Sequence, residues 1–283
     1  MKISGRVTCD RSYSSVLQHA RGKLKGTTAS LDARLLLQAV AGITHADTIA
    51  YPERQITAGE LDRFNALITR RIAHEPVSRI LGHREFYGRN FKITPDVLDP
   101  RADTECVVEL ALRLMRQGTF IDVGTGSGAI AVTLCAENNA LRGIASDVSA
   151  AALAVAEANA AAAGVGTHLK FVQTAWLDGV DTTFNLIISN PPYIRDGEEL
   201  PPDVMCFDPH LALFGGADGL DAYRQLATQC APHLALNGYI IVEIGDQQVK
   251  PVTEIFLREK FMRVAHTTDI AGIIRGLAFQ MRT

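Results

Sequence analysis

Asn190, Pro191, Pro192 and Tyr193 follow directly on the apolar run FNLIIS. Proline locks φ and cannot donate to a strand ladder, so a strand that meets two prolines ends there with its backbone fixed. The tetrad therefore sets an amide, two rigid carbonyls and an aromatic ring at one sheet edge. The side-chain oxygen of Asn190 is an acceptor, and so is the carbonyl of Pro191, which has no N–H at Pro192 to compete for it. Such a pair suits a flat NH2 group held by both of its hydrogens, with Tyr193 stacked on its plane. A carboxamide nitrogen is a poor nucleophile because its lone pair is delocalised into the carbonyl. Its attack rests on positioning and on acceptors for the positive charge that develops, with no strong base required.

Asp122 opens a second cluster, DVGTGSGAI, in which Gly124, Thr125, Gly126, Ser127 and Gly128 join a short apolar run to a helical one. Glycines here let a ligand lie against the backbone at the C-terminal end of a strand. GTGSGA satisfies the dinucleotide fingerprint GxGxxA and also GxGxG, the looser pattern of methyl-donor sites. Asp147 closes the next strand, where a carboxylate accepts from two ribose hydroxyls in either case. Pyrophosphate favours a helix N-terminus free of acid, whereas Asp122 is suited to face the cationic end of S-adenosylmethionine. That favours the sulfonium and leaves NAD open. Trp176, the one tryptophan, follows HLKFVQ, where it packs either on adenine or into the core.

Other chemistries lack residues. The eight histidines form no HxH or HExxH pair, there is no GxSxG elbow, and the five cysteines form no CxxC, so neither a metal site nor a covalent nucleophile is expected. Lysine plus arginine (28) nearly balance aspartate plus glutamate (31), for a net charge of -3, which gives no general attraction to nucleic acid or membrane. No run approaches the roughly 20 apolar residues that span a bilayer, and no apolar leader is evident at the N-terminus. Scattered cysteines fit reduced thiols and a cytoplasmic protein.

The elements that must position these residues are legible as patterns. The 283 residues, 47% of them apolar, suffice for two domains. Residues 1–75 read as a helical domain, with SYSSVLQHARGKLK, SLDARLLLQAVAG and AGELDRFNALITRRIAHE as its helices. Residues 76–98 alternate apolar and polar about a glycine, as a hairpin connector does. Residues 99–283 alternate strands (TFIDVG, RGIASD, HLKFVQ, FNLIIS, YIIVEIG) with helices, the α/β pattern of a Rossmann-like, doubly wound and mostly parallel sheet. The clearest helix, SAAALAVAEANAAAAG, opens at Ser149 and closes at Gly164.

Taken together, EPVSRILGHREFYGRNFKI, DVGTGSGAIA, ASDVS, SNPPYI and DPHLALFGGADGLDAYR resemble the HemK-type release-factor glutamine methyltransferases along nearly the whole chain. The resemblance implies a class I methyltransferase domain behind a helical domain that grips the protein substrate. It also implies transfer of a methyl group from S-adenosyl-L-methionine, leaving S-adenosyl-L-homocysteine, to the N5 amide nitrogen of the glutamine in the GGQ motif of class I peptide chain release factors. By position, Gly124 to Gly128, Asp147, Trp176 and Asn190 would contact the donor, and Asn190 to Tyr193 would hold the glutamine. The chain departs from the family pattern at Asp99 and Ala102, within what is usually IPRPETE, at Ala175, usually acidic, and at Ile273 and Ile274, usually more polar. The same tetrad also suits a ribosomal-protein glutamine or the N6 nitrogen of adenine. A donor-binding protein without catalysis and an NAD-dependent oxidoreductase are the readings from other classes.

Overall fold

The computed structural model describes residues 10–282; Cys9 lies outside them. The chain divides into two compact units after Gly82. The first is all-helical: α1 (Tyr13–Lys23), α2 (Ala29–Ala41), α3 (His45–Ala50), α4 (Ala58–Ile72) and α5 (Val77–Leu81). Its helices start where polar side chains satisfy the first free amides. Ser12 accepts from Ser15 N, and Thr44 with Asp47 and Thr57 with Glu60 form reciprocal capping boxes. Tyr13, Val16, Leu36, Leu37, Phe64 and Ile68 build its core. Within that unit the Arg71–Asp32 ion pair closes at 2.8 Å. The segment expected as a connector is divided: Val77–Leu81 is helical and ends at left-handed Gly82, and the hairpin follows.

The second unit opens with that hairpin, β1 (His83–Phe86) and β2 (Arg89–Lys92), turned by Tyr87 and Gly88, both at positive φ, as two-residue hairpin turns require. There follow α6 (Glu105–Leu114), β3 (Gly118–Val123), α7 (Ala129–Glu137), β4 (Leu141–Asp147), α8 (Ala150–Ala162), β5 (Leu169–Gln173) and β6 (Phe184–Ser189). After α9 (Pro202–Met205) and α10 (Asp221–Cys230) come β7 (Leu234–Glu243), α11 (Val249–Arg258), β8 (Phe261–Thr268) and β9 (Ile274–Met281). The large sheet runs β5-β4-β3-β6-β7-β9-β8. Strands β3 to β7 pair in parallel, and β9 and β8 add antiparallel. This is the doubly wound sheet expected from the sequence.

Strand order steps outward from β3 to β5 and then returns to the other side of β3 with β6. That reversal opens a crevice between the C-terminal ends of β3 and β6, the place where such sheets bind ligands. Helices α6, α7 and α8 cover one face and α10 and α11 the other, each over its own apolar cluster. Strand β8 was not foreseen, because its exposed, polar edge residues give no alternating apolar signal. Among the described residues no helix is long and apolar enough to cross a membrane.

Gly143 on β4 is paired with Phe120 on β3, and a Cβ at Gly143 would overlap the Phe120 ring. The glycine is there to leave room for that fully buried ring. Gly143→Ala is expected to destabilise the protein by about 1–3 kcal/mol in urea unfolding, as overpacking does; an unchanged midpoint would contradict this reading of the sheet.

Candidate active site

The glycine loop is built by backbone bonds to the neighbouring strand. Gly124 N and Thr125 N both donate to Ser146 O at 2.9 Å, and Gly128 N donates to Thr125 O at 2.8 Å. Gly124, Gly126 and Gly128 lie at φ 73°, 54° and 80°, a region side chains make costly. Open space surrounds the Cβ positions of Gly124 and Gly126, so a ligand can approach the backbone there. At Gly128 a Cβ would press on Ala156; that glycine serves the close packing of α7 on α8 and does not line the cavity.

Asp147 fixes the loop from β4. Its Oδ2 accepts from Gly126 N and its Oδ1 from Ser149 N, each at 2.9 Å, which leaves further lone pairs for a ligand. Asp122, expected to face a cationic ligand, is instead buried behind the loop and absent from the cavity wall. Its Oδ2 accepts from Thr125 Oγ1 at 2.7 Å and from Ala131 N at 3.2 Å, while Oδ1 has no hydrogen-bond partner. Burial pushes this carboxyl up to about 7, against those two bonds, and the nearby Asp147 raises it further.

Sequence reading missed Asn159 on α8, since one polar residue among alanines carries no periodic signal. Its amide joins the loop to the hairpin, donating to Ser127 O at 2.8 Å and to Lys92 O at 3.1 Å and accepting from Lys92 N at 2.7 Å.

At the end of β6, Ser189 Oγ donates to Val123 O at 2.7 Å, which ties the tetrad to the glycine loop. Asn190 Nδ2 donates to Thr104 Oγ1 at 3.4 Å. Neither Asn190 Oδ1 nor the Pro191 carbonyl receives a hydrogen bond among the described residues. The backbone after them is held by the segment from Leu213 to Gly219. Ile194 N donates to Leu213 O at 3.0 Å and Gly215 N to Ile194 O at 2.8 Å. Side chains at Gly215 and Gly219 would collide with the carbonyls of Pro192 and Tyr193, which explains two of the three glycines of FGGADG. Gln248, also missed, donates to Tyr193 O at 3.0 Å and accepts from Gly245 N at 3.0 Å.

One cavity of about 700 Å³ gathers Gly124, Thr125, Gly126, Ser127, Asp147, Trp176, Asn190, Pro191 and Pro192. Tyr193 is not in its wall; it packs with the core cluster under α10 and α11, and burial pushes its hydroxyl up to about 12. Trp176 reaches the wall from a left-handed backbone, φ 54°, a strained conformation for a bulky residue. Ala175 adds a methyl and no polar group to the same wall. At the other departures, Asp99 N donates to Asp208 Oδ1 at 3.4 Å and Ala102 starts a short 3-10 turn. Ile274 lies against the apolar core, followed by Arg275, which bonds Asp269 at 2.7 Å and Asp103 at 3.2 Å. No group of three or more His, Cys, Asp or Glu among the described residues is disposed to hold a metal.

A glycine cradle open to a ligand, with Asp147 and Trp176 beside it at a sheet switch point, fits S-adenosylmethionine. The sheet and this site define a class I S-adenosylmethionine-dependent methyltransferase. Residues 103–205 match the model of the methyltransferase small domain, and residues 15–82 that of the PrmC N-terminal domain. Among solved structures, a methyltransferase from Pyrococcus furiosus aligns at TM-score 0.54 and 17% identity over 76% of this chain and 96% of its own. A ribosomal protein L11 methylase from Lactobacillus delbrueckii subsp. bulgaricus aligns at 0.50 and 23% over 66% and 83%; both are likenesses of fold.

The release factor glutamine methyltransferase of Agrobacterium fabrum is 38% identical over 96% of this chain and 98% of its own length. That of Cereibacter sphaeroides is 43% identical over 86% and 88%. The chain belongs to the family of release factor glutamine methyltransferases.

The raised Asp122 carboxyl has a consequence for stability. Its folded value lies above the ordinary 3.8, so the folded state holds the proton more tightly, and the stabilisation is present at low pH and lost as pH rises through about 7. Asp122→Asn keeps an acceptor for Thr125 and Ala131 and removes that titration. Thermal melts from about pH 5 to about pH 8 are expected to decline less steeply for the variant than for the parent; equal slopes would contradict the assignment.

Proposed function

We propose that this chain transfers the methyl group of S-adenosylmethionine to the side-chain amide nitrogen of a glutamine in class I peptide chain release factors, the one in their GGQ motif. The observation that carries this reading is a pair of acceptors without donors, Asn190 Oδ1 and Pro191 O, in residues that share one cavity with the glycine loop. Two acceptors match the two hydrogens of a carboxamide NH2. The bound donor supplies an electrophilic sulfonium methyl.

In this reading Asn190 and Pro191 hold the substrate NH2 by both hydrogens and fix its nitrogen toward the reacting carbon. As the nitrogen gains positive charge, the same two oxygens stabilise it, which is where preorganised dipoles contribute most, and the methylated nitrogen, then strongly acidic, gives up one of its two protons to water. Pro192 locks the backbone that carries them, and Tyr193 buttresses it from below the cavity. The Gly124 to Ser127 loop and Asp147 hold the donor's nucleoside and amino-acid parts, with Trp176 against its base. Gly128 and Asp122 act through the loop's shape.

The charged groups of the cavity wall are Arg101 against Asp96, Asp147 and Asp221, an unsuitable lining for a phosphodiester backbone and an acceptable one for a peptide. The relatives' name points to the same acceptor, and we assign the helical unit to binding the release factor and the protein to the cytoplasm. The described cysteines, Cys106, Cys135, Cys206 and Cys230, are all free, as a reducing compartment favours.

Labelled donor and purified protein are expected to mark a class I release factor and to leave unmarked one whose GGQ glutamine is replaced; equal labelling of the two would refute the acceptor. Asn190→Ala is expected to cost two or more orders of magnitude in kcat, about 3 to 4 kcal/mol of transition-state stabilisation, with donor affinity retained. Full activity in that variant would remove Asn190 from the reaction.

A further inference from the structure

Gln248 precedes α11 as its N-cap, yet its side chain makes no capping bond. It reaches back into the site instead, and each end of its amide meets partners of fixed character. Gly245 N donates to Oε1 at 3.0 Å. Nε2 donates to Tyr193 O at 3.0 Å and to Gly219 O at 3.4 Å. A backbone N–H only donates and a backbone carbonyl only accepts, so these three partners admit one orientation of the amide. Tyr223, fully buried on α10, adds its hydroxyl: Oη lies 2.9 Å from Glu243 O and 3.2 Å from Gln248 Oε1 and shares its one hydrogen between these two acceptors.

Two glycines make room for this arrangement. A Cβ at Gly219, whose φ is 72°, would collide with Tyr193 O and lie 3.3 Å from Gln248 Nε2. A Cβ at Gly245 would lie 3.0 Å from Cδ2 of the Tyr193 ring and 3.1 Å from Gln248 Oε1. Bare backbone at both positions lets the Gln248 amide and Tyr193 close on each other.

What this amide holds is the far end of the tetrad. Pro191 and Pro192 have no N–H, and their carbonyls receive no hydrogen bond among the described residues. Tyr193 O is the first bonded carbonyl beyond Asn190. The peptide joining Tyr193 to Ile194 is held on both edges, Tyr193 O by Gln248 and Ile194 N by Leu213 O at 3.0 Å. Before the tetrad, the chain is fixed where Ser189 pairs with Val242 on β7. Between these anchors the prolines lock two φ angles, which leaves few torsions through which the Pro191 carbonyl could turn.

We propose that Gln248 is a positioning residue for methyl transfer, fixing the direction of the Pro191 carbonyl by holding Tyr193 O; this rests on the acceptor reading given above. Gln248 is absent from the cavity wall, so it acts through the backbone it holds. A carbonyl that swings off the line of the substrate N–H loses the bond by which it orients the nitrogen and stabilises its growing charge. Donor binding belongs to the glycine loop after β3, so loss of Gln248 acts on the rate and spares donor affinity.

The test takes the full chain carrying Gln248→Ala or Gln248→Glu. In crystals of Gln248→Ala with S-adenosylhomocysteine, Pro191 O is expected to shift by about 1 Å with the glycine loop in place. In the methylation assay kcat is expected to fall about 10- to 100-fold with donor affinity within about twofold. Gln248→Glu separates the hydrogen bond from mere packing. Its carboxylic acid keeps an O–H for Tyr193 O and an acceptor for Gly245 N, whereas its carboxylate only accepts and faces two carbonyls. Those carbonyls favour the protonated form, so the kcat of this variant relative to the parent is expected to rise as pH falls from about 9 to about 6. Every other titratable group is common to both proteins and cancels in the ratio. A Pro191 carbonyl that stays in place in Gln248→Ala overturns the proposal, whatever the protein methylates. So does a parental kcat in Gln248→Ala, a loss of donor affinity in step with kcat, or a Gln248→Glu ratio that is flat with pH. A displaced Pro191 carbonyl in a protein whose parent leaves release factors unlabelled would support the positioning and sink the acceptor assignment.

Discussion

The distance between the two halves of the site is set where Ser189 Oγ donates to Val123 O at 2.7 Å. Strands β3 and β6 are parallel neighbours, and this bond lies just beyond their last paired residues, where the ladder stops and each chain turns away. On the β3 side begins the glycine loop; on the β6 side, Asn190. Everything the site does depends on those two turns leaving the sheet at a fixed separation, because an amide nitrogen is too weak a nucleophile to tolerate a loose approach.

Rigidity beyond that point comes from side chains that bond backbone carbonyls and from glycines that let the backbone pack closely. Gln248 donates to the Tyr193 carbonyl and Asn159 to the Ser127 carbonyl, and the glycines at 215 and 219 leave room for the Pro192 and Tyr193 carbonyls. The carbonyls of Pro191 and Pro192 receive no hydrogen bond among the described residues, and of the two it is Pro192 that lies against Gly215. Two buried carboxyls, Asp122 and Glu243, sit behind the two halves of the site, each with one oxygen unpartnered and each raised to about 7 by burial.

The sequence disclosed the sheet, the helical unit and the two loops, because periodicity, prolines and glycines are local signals. It disclosed less about depth. Asp122, Gly128 and Tyr193 belong to the motifs, yet the cavity wall passes them by, and no spacing rule distinguishes a residue that touches a ligand from one that supports the residue that does. Thr104, Asn159 and Gln248 gave no signal of their own, since each acts through a partner distant in the chain. Glu243 did give one: a carboxylate inside the apolar run YIIVEIG is out of place in a buried strand, although nothing in the run says what it faces.

The central claim is that two donorless oxygens at the end of β6 receive a carboxamide. It is tested most directly by a crystal structure of the protein with S-adenosylhomocysteine and a peptide carrying Gly-Gly-Gln. The account predicts the glutamine amide nitrogen at about 2.7–3.2 Å from both Asn190 Oδ1 and Pro191 O, the hydrogen-bonding range. A glutamine bound with its nitrogen away from those oxygens, or one meeting the NH2 end of Asn190, would contradict it.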